Sequence, residues 1–179
     1  RRALRRILPF EADSETVFAL EKLCASPRGA MALPGGLRAE RAGEHLYLLH
    51  GEQNRPEPVP IAIPGITRLQ SLCEINAELC EPVPSRGDPC CQVLSLDALS
   101  GAVLRTRRNG DRIRPLGMAG SKLLSDYMID RKLDRPLRDS APLVAVKENI
   151  LWAVGLGISE DAKAVNGAKA VRLTCRALS

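Results

Sequence analysis

Arg107–Pro142 reads RRNGDRIRPLGMAGSKLLSDYMIDRKLDRPLRDSAP, basic residues set among glycines and prolines. Leu123, Leu124, Tyr127 and Met128 fall on one face at helical spacing, which predicts a helix from about Ser121 to Asp130. Before it, Gly117-Met-Ala-Gly120 is a turn fed by the extended run around Arg112–Arg114. After it, Pro136 and Pro142 set a short helix or turn over Asp134–Ser140. The order extended segment, glycine turn, helix and turn describes a small mixed sheet with one or two helices, and so an α+β fold.

Charge is concentrated in the same place. From Arg105 to Arg138 ten basic residues stand against four acids, +6 over 34 positions. The whole chain is only +5, so the other 145 residues sum to −1. A basic patch confined to one segment is the footprint of a polyanion-binding surface; the plainer alternative is a solvated face with an excess of arginine. The candidate contacts are Arg107, Arg108, Arg112, Arg114, Lys122, Arg131, Lys132, Arg135 and Arg138. Strand alternation would put Arg112 and Arg114 on one face, and the last four cations follow the helix around its C-terminal end. Gly117, Gly120 and Ser121 form a candidate phosphate cradle with Lys122, because glycines before a helix N-terminus let backbone N–H groups face an anion. The spacing is not that of a nucleotide-binding GxxxxGK[ST] loop, so the expected phosphate is an RNA backbone one. Some charges serve the fold: Asp111 or Asp139 pairs with an arginine, with Arg138-Asp139 the favoured pair.

Outward from this segment, Asp13-Ser14-Glu15 is an N-cap and acidic first turn for a helix carrying Val17, Leu20 and Leu23, stopped by Pro27 and Gly29. Arg1–Leu8 reads as the end of a helix with Leu4, Ile7 and Leu8 inward. A hairpin follows, with strands near Leu37–Glu40 and His45–Leu49. The polar, proline-bearing run 51–58 is the expected linker between residues 1–50 and a domain over 59–179. Beyond it, strands are expected at Val59–Ile63, Gly65–Leu69, Ser71–Glu78, Cys91–Leu96, Ala102–Arg107 and Ala170–Cys175, with a hairpin over Leu143–Val146 and Ile150–Val154.

Six cysteines in 179 residues are too few for a disulfide scaffold. No Cys-x-x-Cys occurs and no zinc spacing is met, so thiols in a reducing cytoplasm and no metal site are expected. A catalytic pairing of Cys90 or Cys91 with His45 or His50 has no supporting context. No apolar run approaches the roughly 20 residues of a membrane span, and no membrane partner is expected. With one Trp, two Tyr and two Phe, the chain is short of the stacking platforms single-strand binders use. Tyr127 and Trp152 read as core, and a paired stem read through phosphates, sugars and grooves suits the composition better.

Gly110-Asp111-Arg112, Pro115, Gly117, Gly120, Lys122, Asp126, Lys132, Arg135, Arg138-Asp139 and Pro142, with the hairpin Leu143–Val154 and Gly155-Leu-Gly-Ile158, resemble the C-terminal domain of bacterial tRNA(Ile)-lysidine synthases. Leu33-Pro34-Gly35-Gly36-Leu37, Arg41 and Leu46-Tyr47-Leu48 resemble the end of that family's middle, substrate-recognition domain. The chain departs from the family at Leu123, where many members carry a second lysine, which weighs against a paired-lysine phosphate clamp. The resemblance implies a ligase that activates the wobble cytidine of isoleucine tRNA with ATP and lets free lysine displace AMP, changing the codon read from AUG to AUA. That chemistry belongs to an N-terminal ATP-pyrophosphatase domain with a Ser-Gly-Gly-x-Asp-Ser loop. The nearest string here is Ser100-Gly101-Ala102, and the chain begins at Arg1. The expectation is therefore a cytoplasmic C-terminal portion, inactive alone, with no catalytic residue or cofactor of its own. ATP and Mg²⁺ would serve the parent enzyme. Its partners would be isoleucine tRNA, held at the body and acceptor stem, and the N-terminal catalytic domain of the same polypeptide. The alternative is a structural or homodimerising domain without RNA contact.

Overall fold

The computed structural model describes residues 2–50, 56–82 and 88–178. The chain divides into two compact units, Arg1–Asn54 with Asp134–Pro136, and Arg55–Leu133 with Leu137–Ser179. The architecture is α+β, with three sheets among the described residues. Of the expected linker 51–58, positions 51–55 lie outside the described residues, and 56–58 are coil with Pro56 buried.

In the first unit, α1 (Arg2–Ile7) precedes α2 (Ser14–Ala25). The Asp13 carboxylate accepts the Thr16 N–H at 2.7 Å, capping α2 and holding the Asp13 carboxyl below its usual pKa. Val17, Leu20 and Leu23 make the buried stripe of α2. Leu20 and Leu23 cluster with Leu8, Leu33, Leu37 and Ala39. The strands are β1 (Arg28–Leu33), β2 (Leu37–Ala42) and β3 (His45–His50), paired antiparallel in that order. The β2–β3 hairpin agrees with the sequence reading, and His45 and His50 are the first and last residues of β3. β1 was not anticipated: only Leu33 of its six residues is buried, so it has no apolar alternation to read, and pairing with β2 alone makes it a strand.

The second unit runs β4 (Val59–Pro60), β5 (Gly65–Leu69), β6 (Cys73–Cys80), β7 (Cys91–Ser95), β8 (Val103–Arg105), β9 (Arg112–Ile113), β10 (Lys122–Leu123), α3 (Leu124–Asp130), β11 (Leu143–Val146), β12 (Asn149–Ala153), β13 (Gly157–Ile158) and β14 (Ala170–Ala177). Of the short helix α4 (Arg135–Arg138), Arg135 and Pro136 are counted with the first unit, Leu137 and Arg138 with the second. One sheet has the order β5-β6-β14-β7, the other β10-β9-β12-β11-β8-β4 with β13 on β12. β4 pairs only with β8, at the sheet edge where its proline removes no ladder bond.

The central hairpin β11–β12 is buried on both faces. Val144, Leu151 and Trp152 join Leu69, Ile75 and Leu173 of the four-stranded sheet, while Leu143, Ala145, Ile150 and Ala153 pack with Leu124, Tyr127 and Met128 of α3. Opposite Val144 stands Trp152, but opposite Ala145 stands Ile150. Leu151 is thus a bulge residue, which is why two consecutive side chains, Leu151 and Trp152, enter the same core.

The segment read as one helix from Ser121 starts later. Lys122 and Leu123 are extended and pair with Ile113 and Arg112, so the helix begins at Leu124. The ladder supplies partners to these residues' backbone groups that a helical turn would have taken, and the Leu124 N–H donates to Asp111 O at 2.8 Å.

Candidate functional site

The basic segment is organised by two residues that are almost wholly buried. Arg105 and Asp111 form a bidentate pair, Nη1 to Oδ2 at 2.8 Å and Nη2 to Oδ1 at 2.7 Å, with both side chains 2% exposed. The second proton on each of Nη1 and Nη2 goes to Thr106 O at 2.9 Å and Lys147 O at 2.7 Å, while the buried Nε–H has no hydrogen-bond partner among the described residues. Asp111 Oδ2 also accepts the Arg108 N–H at 2.7 Å, which braces the Arg108–Asp111 turn. Buried opposite charges are tolerated when their other hydrogen-bonding capacity is also met, as it largely is here. Arg105 counts toward the sequence charge, yet it is structural. Discounting it together with Asp111 leaves nine cations and three acids over the same positions, still +6.

The nine candidate cations divide by partner. Arg107 pairs with Asp139 at 3.0 Å, Arg114 with Asp161 and Lys122 with Asp130. Arg138 is not the partner of Asp139; its Nε donates to Leu133 O at 2.9 Å. Arg138 is the last residue of α4 and Asp139 lies in the turn beyond it. Arg112 is exposed and lies along Ser121, Nε to Oγ at 3.0 Å and Nη2 to O at 3.1 Å. Arg112 and Arg114 have different partners, Ser121 and Asp161, and β9 itself ends at Ile113. Arg131 stacks over the Tyr127 ring at 5.1 Å. Arg108 and Lys132 are exposed, and Arg135 opens α4 exposed. Among the described residues, Arg108, Arg112, Arg131, Lys132, Arg135 and Arg138 have no carboxylate partner.

The glycine turn is a loop between β9 and β10, not a direct lead into α3. Met118 N–H closes a turn onto Pro115 O at 3.0 Å, with Gly117 at φ 77° in its third position. Gly117 N–H donates to Glu160 Oε2 at 2.9 Å, which holds the Glu160 carboxyl below its usual pKa. Gly120 and Ser121 are exposed on the far side of the loop, Ser121 receiving Arg112. The corner Ser159–Asp161 anchors the near side: Ser159 Oγ and the Glu160 N–H both donate to Arg114 O, at 3.1 and 2.7 Å. The sequence reading named Asp111 as a partner for an arginine, and Arg105 is that arginine; the Ser159–Asp161 corner was not singled out, because its contacts run between segments distant in sequence.

The cysteines are free thiols. Cys73 and Cys175, on neighbouring strands, are hydrogen-bonded, and that bond raises the Cys175 thiol. Cys90 and Cys91 belong to the second unit, His45 and His50 to the first. Among the described residues no group of three or more His, Cys, Asp or Glu side chains could hold a metal ion, and no helix is long and apolar enough to cross a membrane.

Residues 102–175, which contain the whole basic segment, match the family model of the TilS substrate C-terminal domain. The chain is 34% identical to the tRNA(Ile)-lysidine synthase of Symbiobacterium thermophilum over 84% of its own length and 32% of that protein's. It is 30% identical to the enzyme of the same name from Geobacter sulfurreducens, over 87% of the chain and 34% of the relative. It thus spans about a third of the length of these curated relatives. The crystal structure of a TilS C-terminal domain superposes with a TM-score of 0.57 at 28% identity, covering 69% of this chain and 98% of that one.

Proposed function

The chain belongs to the tRNA(Ile)-lysidine synthase family, residues 102–175 being its substrate C-terminal domain, and on that premise we propose that it is the part of such a ligase that holds the tRNA. One observation carries this reading: the +6 of the basic segment survives removal of its buried ion pair, and six of its cations have no carboxylate partner among the described residues. These cations meet phosphates along the body and acceptor stem of isoleucine tRNA, and Arg107, Arg114 and Lys122 stand beside them in internal pairs that a phosphate can displace. In this reading residues 1–50 are the end of the middle domain and 59–179 the tRNA-binding domain of a cytoplasmic enzyme.

Ligation of lysine to the wobble cytidine, with its ATP and Mg²⁺, is assigned to the catalytic domain of the parent enzyme. Ser100-Gly101-Ala102 does not fit a nucleotide: Ala102 is buried, its N–H is given to Leu99 O and its carbonyl accepts the Ile61 N–H. The test is a titration of the full chain with an isoleucine tRNA transcript. Alanine at Arg108, Arg112 or Arg131 is expected to weaken binding and lower the salt dependence by about one unit for each phosphate contact removed. With ATP and lysine added, the same chain is expected to give no nucleotide turnover. A folded chain that shows no salt-sensitive binding would leave the structural or dimerising reading in its place.

A further inference from the structure

The loop between β9 and β10 exposes apolar side chains while being firmly held. Leu116 is 50% exposed, Met118 47% and Leu123 41%. Beneath them the loop is fixed by the Pro115–Met118 turn, the Gly117–Glu160 and Arg114–Asp161 contacts and the Pro115–Ser159 bridge. A floppy loop would expose apolar groups at no consequence; an anchored one presents a preformed apolar surface, which on a folded protein marks a contact site. Its surroundings are cationic. Leu123 lies directly opposite Arg112 on the β9–β10 ladder, so the two project from the same face of the hairpin, and Arg112 runs back along Ser121.

We propose that Leu116, Met118 and Leu123 form a platform for the end of a base-paired RNA stem, covering the open face of the terminal base pair while Arg112 holds a flanking phosphate. This rests on the RNA-binding reading above and goes beyond it by naming the structural feature that is recognised. In a duplex only the terminal pair offers an uncovered base face, a broad and apolar one. Leucine and methionine are the kind of aliphatic side chains that proteins place against base faces. Unpaired strands are held instead by aromatic platforms, and the loop has no aromatic residue. The arginine opposite Leu123 supplies the charge complementarity to RNA that an apolar contact with another protein would not require.

The experiment compares two RNAs of the same stem sequence by fluorescence anisotropy with the full chain. One is a hairpin with a single blunt end bearing a 5′-hydroxyl; the other is a dumbbell closed by loops at both ends. The hairpin is expected to bind roughly tenfold more tightly, on the order expected for covering part of two or three aliphatic side chains. The double variant L116S/M118S is expected to bring the hairpin to the dumbbell's affinity. Dumbbell affinity, salt slope and melting temperature should stay where they were, because these side chains are already exposed. Equal wild-type affinity for the two RNAs overturns the platform while leaving the RNA-binding reading intact. So does a double variant that keeps the hairpin preference, an outcome that would make the tip a protein contact. Absence of binding to either RNA overturns the underlying reading and the platform with it.

Discussion

Both carboxylate oxygens of Asp111 are engaged, by the Arg105 guanidinium and by the Arg108 N–H, at a depth where neither charge meets water. Replacing Asp111 by Asn leaves Arg105 buried without a counter-charge, a change that costs about 3–5 kcal/mol in comparable buried pairs. The double replacement Arg105→Met with Asp111→Leu removes both charges, and part of that stability is expected to return. RNA affinity is expected not to return, because the Arg108 N–H and the Thr106 and Lys147 carbonyls lose the contacts that shape the turn. Urea unfolding and a binding titration on the same two variants check this. A double variant that binds RNA like the parent would reduce the pair to a stability element. Arg105 illustrates what the sequence could not convey: it stands next to Arg107 and Arg108 as one more cation of the strip, and only the turn at Gly110 brings Asp111 back to it. Tyr127 and Trp152 were legible because scarce aromatics at apolar positions belong in a core, and both are buried.

At the scale of elements, α3 ends in a device that sets backbone comfort against charge. Lys132 N–H donates to Ile129 O at 2.9 Å and Leu133 N–H to Met128 O at 2.9 Å, the two bonds of a Schellman ending, with Lys132 at φ 57°. Glycine normally occupies that position, since a side chain in the left-handed region costs roughly 1–2 kcal/mol. Lys132→Gly is therefore expected to raise the melting temperature by about 2–4 °C for a chain of this size. It should weaken RNA binding if the lysine meets a phosphate. Lys132→Asn, which tolerates the same backbone, separates the two effects: it should match the glycine variant in binding with a smaller gain in stability. Unchanged affinity in both would remove Lys132 from the contact set. The elements legible from sequence were those with their own period or punctuation, such as α2 with its Asp13 cap and the β2–β3 hairpin. β1 and the two-residue β10 exist through pairing alone, and so the start of α3 was placed three residues early.

Across the molecule, the salt dependence of binding reports how many internal ion pairs give way to RNA. If only Arg108, Arg112, Arg131, Lys132, Arg135 and Arg138 meet phosphates, about six counterions are released. Log affinity should then fall against log salt with a slope of about −5, a loss of roughly 10³ between 50 and 200 mM. If Arg107, Arg114 and Lys122 also leave Asp139, Asp161 and Asp130 for phosphates, the slope approaches about −8 and the loss roughly 10⁵. The sequence alone gives both limits equal standing, because nine surface cations look alike until their partners are known. The structure favours the shallower value, since each exchange must first break a contact already made. Alanine at Asp139, Asp161 or Asp130 sharpens the distinction. Freeing an arginine or lysine that the wild type keeps paired should steepen the slope by about one unit and tighten binding at low salt. A cation that already binds phosphate should leave the slope where it was. A slope near zero in the parent chain would mean that the concentrated charge of residues 105–138 serves something other than a nucleic acid.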